Sequence, residues 1–482
     1  MASKGTQHPS MIVCLQSIVS SSKLSRDGNE KRMDTSHALK AKASADDEHL
    51  SCAGDLCSRA REEAVITGSP KRIASEHESI RAGIGKSTIV DTVPPSPPSS
   101  SPTTASTTPP KSHISFLLKN NSPLFTLTTT TLTMSSSNAP IPYATIGTNW
   151  ITTSWIHACN QVPESWTLHS VYSRSQSTAS TFAAQHNCKT THTSLDSLLA
   201  DPILRAVYIA SPNSLHFTQA RQCLSAGKHV ILEKPATCTS KQLDELFRLS
   251  KENNVVLIEA FRHIREHNFL HLHKLVNEDK VLGPIYGASL PYASYSSRYT
   301  NVLNGETPNI FSLDFGGGAL VDVGVYPVCF AVALFGTPKS QSYTPTICAT
   351  GVDAAGVGTL QYDNFGVALN VSKAYSTSSV VEIYGEKGTL RVNGTTDISS
   401  IVFVDAKSKE EKELADEGKC LKVTKPDVNM EEEVREFGRI ILEGDEQARQ
   451  RLEELSRAII KVTESMRRGA GILYPADQEW GA

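Results

Sequence analysis

Ala226-Gly-Lys-His-Val-Ile-Leu-Glu-Lys-Pro235 is the stretch that decides the fold. Its middle, His229 to Glu233, is short and mostly apolar, as a buried strand is. A helical pattern over 216–226 precedes it, Gly227 suits the helix C-cap between the two, and Pro235 stops the strand. Lys234 is thereby delivered to the carboxyl end of a buried strand, where open α/β sheets do their chemistry. Taken alone, a lysine at a strand end reads more readily as a solvated residue.

Working outward, the same rhythm continues on both sides. Upstream lie apolar strand patterns at 142–147, 166–173 and 206–210, with a helix near 195–200; downstream come a helix over 240–251 and a strand over 255–261. Strands alternating with helices predict a parallel, doubly wound sheet. The first strand breaks at Gly147 into Thr148, Asn149, Trp150 and Ile151 before a helical pattern. A strand, a glycine turn and a helix start place a pyrophosphate on a helix N-terminus. The glycine fingerprint is incomplete, because Asn149 stands where the second glycine is expected. Asparagine tolerates left-handed backbone angles, although its side chain would crowd a phosphate. At the end of the second strand a carboxylate would bind the ribose 2′-hydroxyl of NAD. Ser173 and Arg174 stand there instead, followed by Ser175, and a guanidinium suits the 2′-phosphate of NADP. An exposed arginine capping a strand is the plainer alternative.

In the second half, Gly316-Gly-Gly318 forms a loop feeding a helix that begins near Ala319. No P-loop lysine follows, so the glycines indicate close approach of the backbone. Asp322 and Tyr326, four apart, are expected to share one helix face, with Pro327 kinking the helix at the tyrosine. His263, His267 and His271 recur every four residues and would lie on one helical stripe; no further ligand pattern supports a metal there, none is expected, and the stripe reads as a solvated or substrate-cleft face. From 285 onward, alternating runs at 285–290, 347–352, 357–362, 366–371 and 380–385 predict an antiparallel sheet, with 385–388 as one turn. Two helices close the chain at 430–442 and 446–468, the second so charged that it reads as a solvated outer face.

Three separated motifs carry a resemblance. Ser211-Pro-Asn-Ser-Leu-His216, the lysine strand, and Gly316-Gly-Gly-Ala-Leu-Val-Asp-Val-Gly-Val-Tyr-Pro327 occur in the order and spacing of the Gfo/Idh/MocA oxidoreductases. From about Tyr143 to its C-terminus the chain resembles that family. The resemblance implies a Rossmann domain over 140–262 and an α+β substrate and dimerisation domain over 263–482 with a large open antiparallel sheet. It implies NAD(P)-dependent hydride transfer to or from a sugar, polyol or cyclic diol, with NADP the expected cofactor and NAD the alternative. Ser211, Pro212 and Asn213 would lie on the nicotinamide side, with His216 starting the next helix and Glu233 and Lys234 closing the cofactor site; Asn213 also reads as a helix N-cap or turn residue. Tyr326 would be the acid/base, Lys234 the ammonium that lowers its pKa from ~10 and donates to the substrate oxygen, and Asp322 the residue orienting a substrate hydroxyl or the tyrosine. The fold also serves a fungal galactose-pathway repressor, so a non-catalytic dinucleotide sensor is the rival expectation. Specificity is assigned to the loops around 292–309.

The remaining composition bounds the rest. A net charge of −3 carries no nucleic-acid footprint, and no run of about eighteen apolar residues suggests a membrane span. Among ten cysteines there is no CxxC pair, which fits reduced thiols in the cytoplasm. Residues 1–139 are expected to be a disordered extension, Pro- and Ser-rich over 93–110, without a convincing signal or transit peptide. Met134 stands where a compact family member would start. A sheet with helices on only one face predicts a homo-oligomer, formed by pairing two uncovered apolar faces.

Overall fold

The computed structural model describes residues 139–416 and 428–480. The extension expected over 1–139 and the start at Met134 lie outside the described residues, apart from position 139.

Six strands form a parallel sheet: β1 (Ile141–Ile146), β2 (Trp166–Tyr172), β3 (Thr190–His192), β4 (Ala206–Ile209), β5 (His229–Glu233) and β6 (Leu257–Ala260). Their order is β3-β2-β1-β4-β5-β6, with the reversal between β1 and β4. That reversal opens the crevice above their carboxyl ends in which such sheets take ligands. Every residue of β4 and all but the first of β5 are buried, which is why both read as continuous apolar runs rather than alternating ones. The crossovers are α1 (Trp150–Asn160), α2 (Gln176–Gln185), α3 (Leu195–Leu199), α4 (Asn213–Ser225) and α5 (Ser240–Glu252). The sequence singled out neither α2 nor β3: α2 buries only Ala179, Phe182 and Ala183, and β3 is three residues long. The helix expected to begin at His216 begins at Asn213.

The second sheet has eight strands: β7 (Ile285–Ala293), β8 (Ser340–Ile347), β9 (Asp353–Gln361), β10 (Gly366–Ser372), β11 (Val381–Gly385), β12 (Gly388–Val392), β13 (Ile401–Asp405) and β14 (Glu411–Glu413). It is mixed, not antiparallel as expected, because β7 and β10 pair in parallel at its centre. After β7 the chain leaves the sheet through helices and the β8–β9 hairpin before β10 returns, and a long crossover of this kind permits parallel pairing. The alternation read over 347–352 is no strand: β8 ends at Ile347 and a turn with Gly351 at φ +84° leads into β9.

One face of this sheet packs on α6 (His267–Asn277), α8 (Ala319–Asp322) and α9 (Val325–Phe335), while α7 (Ser297–Leu303) packs through Val302 in a separate cluster with Phe311, Val352 and Ala354. The other face presents small and hydroxylated residues at alternate positions, among them Ser289, Thr344, Val357, Thr359 and Ala368. The uncovered face is therefore largely polar, with Val357 an exposed exception, where an apolar one was expected.

The chain then returns to the first sheet with α10 (Glu431–Glu443), followed by α11 (Glu446–Gly469) and α12 (Pro475–Trp480). Val434, Phe437 and Ile440 join Trp155, Trp166 and Tyr208 in one core, and Trp166 Nε1 donates to the Val434 carbonyl at 2.8 Å. A division of the chain at 262/263 thus leaves one wall of the dinucleotide-binding half on the far side of the cut. Nor is α11 a solvated face: Leu452, Ile459, Val462 and Met466 are buried stripe residues between its charges.

Candidate active site

At the end of β1, Gly147 has φ +115°, and a Cβ there would lie 2.5 Å from the Ala210 carbonyl oxygen. Only glycine fits this close crossing of the β1 and β4 loops. Asn149 corrects the expectation placed on it. It is not left-handed but extended, at φ −97°, and caps α1 by accepting from the backbone N–H groups of Ile151 (3.1 Å) and Thr152 (3.2 Å). Its Nδ2 donates to the Ala210 carbonyl at 2.8 Å, tying the two loops across the crevice. Asparagine is among the best N-caps, and that preference outweighs its tolerance of left-handed angles here.

Around this turn opens a cleft of about 270 Å³ lined by Gly147, Thr148, Asn149, Ser173, Arg174, Ser211 and Pro212, among others. Seven of the residues expected to bind cofactor are therefore brought together. Trp150 and Ile151 stand just beyond the lining, in the first turn of α1, with Trp150 60% exposed. Arg174 is exposed at the mouth, and the neighbouring Ser175 caps α2. The donor set suits a dinucleotide: a glycine crossing that lets backbone approach phosphate, and a guanidinium at the ribose end.

Deeper in, His216 is fully buried with its ring nitrogens 2.8 Å from the Ser211 carbonyl and 2.9 Å from that of Pro235. Burial drives its pKa down to about 4 against the opposing pull of the two carbonyls, and the ring packs between the two loops, a neutral imidazole donating to one of the carbonyls only. Asn213 is not the N-cap of α4; Pro212 takes that position, and the Asn213 Nδ2 donates across the domains to the Gly316 carbonyl at 2.9 Å. The Glu233 carboxylate accepts from Tyr208 Oη at 2.7 Å inside the sheet and does not line the cleft.

The lysine strand meets the glycine loop at a partly buried, charged corner. Lys234 Nζ donates to the Asp322 carbonyl at 2.9 Å, lies 3.4 Å from Asp322 Oδ1, and sits 4.6 Å from the Tyr326 ring centroid. Tyr292 stacks on the Tyr326 ring at 5.1 Å and 13°, and His263 meets it edge-on at 5.0 Å and 72°. The ammonium, an aromatic face and an imidazole edge fix that ring. Burial works against the Lys234 charge, yet Tyr326, Asp322 and Glu233 together hold it well above the ordinary lysine range, so it stays cationic.

Asp322 and Tyr326 do not share a continuous helix as expected. They belong to α8 and α9, separated at Val323 and Gly324. Pro327 has no N–H, and its ring would strike the carbonyl four residues back; the chain restarts the helix so that proline falls in a first turn, where it is tolerated. The loop before α8 is anchored from three sides. Tyr474 Oη donates to the Gly317 carbonyl at 2.6 Å, Asn213 holds Gly316, and the Asp353 carboxylate accepts from Leu320 N at 2.7 Å. A Cβ at Gly318 would collide with that carboxylate.

Lys373, which the sequence gave no reason to single out, follows the last residue of β10 and forms an ion pair with Asp322 Oδ2. Burial opposes ionisation of Asp322, but Lys373 and Lys234 outweigh it and hold the carboxyl well below the usual range. The expected histidine stripe is broken as well. His263 sits in the 3₁₀ turn Arg262–Ile264 against Tyr326, while His267 and His271, on α6, face Asp416 (3.2 Å) and the Leu414 carbonyl (2.9 Å). The shared spacing was read across a helix start that falls between them.

Family models place these features among known proteins. The model for the oxidoreductase family with an NAD-binding Rossmann fold matches residues 141–261, and that for the GFO/IDH/MocA C-terminal domain matches 269–391. The scyllo-inositol 2-dehydrogenase (NADP⁺) IolU of Bacillus subtilis is 35% identical over 340 residues, covering 70% of this chain and 99% of that one. D-xylose 1-dehydrogenase (NADP⁺) 2 of Haloferax volcanii is 29% identical over 308 residues, 63% of this chain and 90% of its own. Among solved structures, a 3-ketoreductase from Actinomadura kijaniata in complex with NADP superposes with a TM-score of 0.57 at 20% identity, over 68% of this chain and 97% of that one, which speaks for the fold. With both domain models matched and one relative aligned over nearly its full length, the chain belongs to the Gfo/Idh/MocA family of NAD(P)-dependent oxidoreductases.

Proposed function

We propose that this enzyme transfers hydride between NADP(H) and a secondary alcohol or anomeric carbon of a sugar, polyol or cyclic diol. The observation that carries the reading is the Lys234 ammonium over the Tyr326 ring, on a strand end that His216 connects to the cleft residue Ser211. Bound NADP⁺ supplies the hydride acceptor. Oxidation of an alcohol leaves one proton to remove, and Tyr326 takes it at the phenol oxygen while Lys234 donates to the substrate oxygen and stabilises the phenolate. Tyr292 and His263 hold the ring in register, and His216 fixes the loop carrying Lys234 to the loop beginning at Ser211. Asp322 acts on Lys234, to which it is bonded, rather than on a substrate hydroxyl.

Arg174 favours NADP over NAD, and the NADP-dependent relatives support that choice. The substrate class rests on relatives named for an inositol and a pentose. A second copy of the chain is the natural cover for the small-residue face of the second sheet, since it carries no bulky side chain at Ser289, Thr359 or Ala368. The six cysteines among the described residues are all free, consistent with the reducing cytoplasm. A panel of inositols, aldoses and cyclic diols, followed by NADPH absorbance, tests the reading. Turnover of ring polyols with NADP⁺ is the expected result; NADP binding without turnover of any alcohol would favour a dinucleotide sensor instead.

A further inference from the structure

Asp322 serves two cations at once. Lys373 is ion-paired to Oδ2, while Lys234 reaches Oδ1 at 3.4 Å and the main-chain carbonyl at 2.9 Å. The Lys373 side chain is only 2% exposed; its backbone N–H donates to Ala354 and its ammonium faces the Phe311 ring at 4.9 Å. A buried lysine survives only where a charge partner compensates its lost hydration, and Asp322 is the partner its ion pair provides. Asp322 is thus shared between two ammonium groups. Lys373 engages Oδ2, and the longer 3.4 Å contact to Oδ1 leaves the Lys234 ammonium beside Tyr326. Glu233 and Tyr292 also face Lys234, Asp353 faces Lys373, and Arg262 and Lys234 face His263.

We propose that Lys373 is a positioning residue of the reaction, saturating the Asp322 carboxylate so that Lys234 keeps its ammonium available for the substrate oxygen and the Tyr326 phenolate. The inference rests on the reading of Lys234 and Tyr326 given above. Without Lys373, Asp322 would close fully on Lys234 and withdraw it from substrate.

The test compares wild type with Lys373→Met and Lys373→Arg by two readouts: melting temperature against pH without substrate, and kcat against pH. In the wild type the carboxyl titrates below its unfolded value near ~4, so its contribution is present above that value and is lost only in stronger acid. In Lys373→Met, burial is opposed by Lys234 alone and the folded value moves up, so above that value the carboxylate stabilises less than it does in wild type. The gap in melting temperature between the two proteins should therefore open as pH rises through the variant's folded value and be smallest in the strongest acid that both proteins survive. The kcat of Lys373→Met should fall about 10-fold and gain an acid limb, with NADP affinity unchanged within about two-fold, and Lys373→Arg should recover most of both losses. Lys373→Gln carries the same comparison if the methionine variant does not fold. A gap independent of pH, or a kcat profile identical to wild type, would overturn the proposal. An inactive wild type with a pH-dependent gap would instead remove the catalytic reading on which it rests.

Discussion

The rim of the dinucleotide cleft and the corner behind it are built on opposite principles. The rim consists of a glycine crossing, a capped helix start and an exposed arginine, all contributed by strand ends within the first sheet. The corner gathers Lys234, Tyr292, Asp322, Tyr326 and Lys373 from five separate segments and buries charge among aromatic rings. Rim residues act singly through backbone and hydration, so their effects should be modest, additive and confined to cofactor affinity. Corner residues share charges at low dielectric, so their effects should be large, coupled and confined to turnover.

The sharpest way to break that contrast is Tyr326→Phe. It preserves ring packing against Tyr292 and His263, and removes only the phenol. Steady-state kinetics should show kcat lower by ~10²–10⁴-fold, with the NADP dissociation constant within a few-fold of wild type. A change of similar size in NADP affinity would merge the two regions into one. At the rim, Arg174→Ala should weaken NADP binding by about 1.5–3 kcal/mol, the scale of a hydrogen bond to a charged group, and leave NAD nearly untouched. Titration by fluorescence separates the two; equal losses for both cofactors would show that Arg174 does not read the 2′-phosphate. Smallest is Asn149→Ala, which deletes the cap of α1 and the tie to Ala210. It should cost about 1 kcal/mol in denaturant unfolding and leave kcat unchanged. A loss of turnover there would mean the crevice tie reaches the catalytic corner.

The same contrast explains what could be read from sequence. Lys234 at a strand end, Gly147 at a turn and the Gly316 to Gly318 loop are local patterns, each legible within a dozen residues, and so was the doubly wound order of the first sheet. Lys373 was not, because its meaning depends on β10 lying parallel to β7, a pairing of strands some eighty residues apart that brings the end of β10 onto α8. Tyr292 and His263 were singled out only as the start of the specificity loops and as part of a histidine stripe: one lies near the end of a strand, the other in a 3₁₀ turn, and only tertiary packing places them on Tyr326. Asn149 was visible but ambiguous, since one side chain suits both a left-handed turn and a helix cap. The break between Asp322 and Tyr326 had its signals, Gly324 and Pro327, but an i, i+4 spacing says nothing about whether the helix runs through. The outer face of the second sheet was anticipated as uncovered, and its chemistry was misjudged because alternation reveals which residues face out only once register is known.

The central claim is that Lys234 and Tyr326 act as one unit. A double-mutant cycle in kcat, using Lys234→Met, Tyr326→Phe and the pair, tests it most directly. The account predicts that each single change costs ~10²–10⁴-fold and that the double variant loses little more than either alone. Losses that multiply across the cycle would contradict it, and would leave the ammonium over the Tyr326 ring as packing without a share in proton transfer.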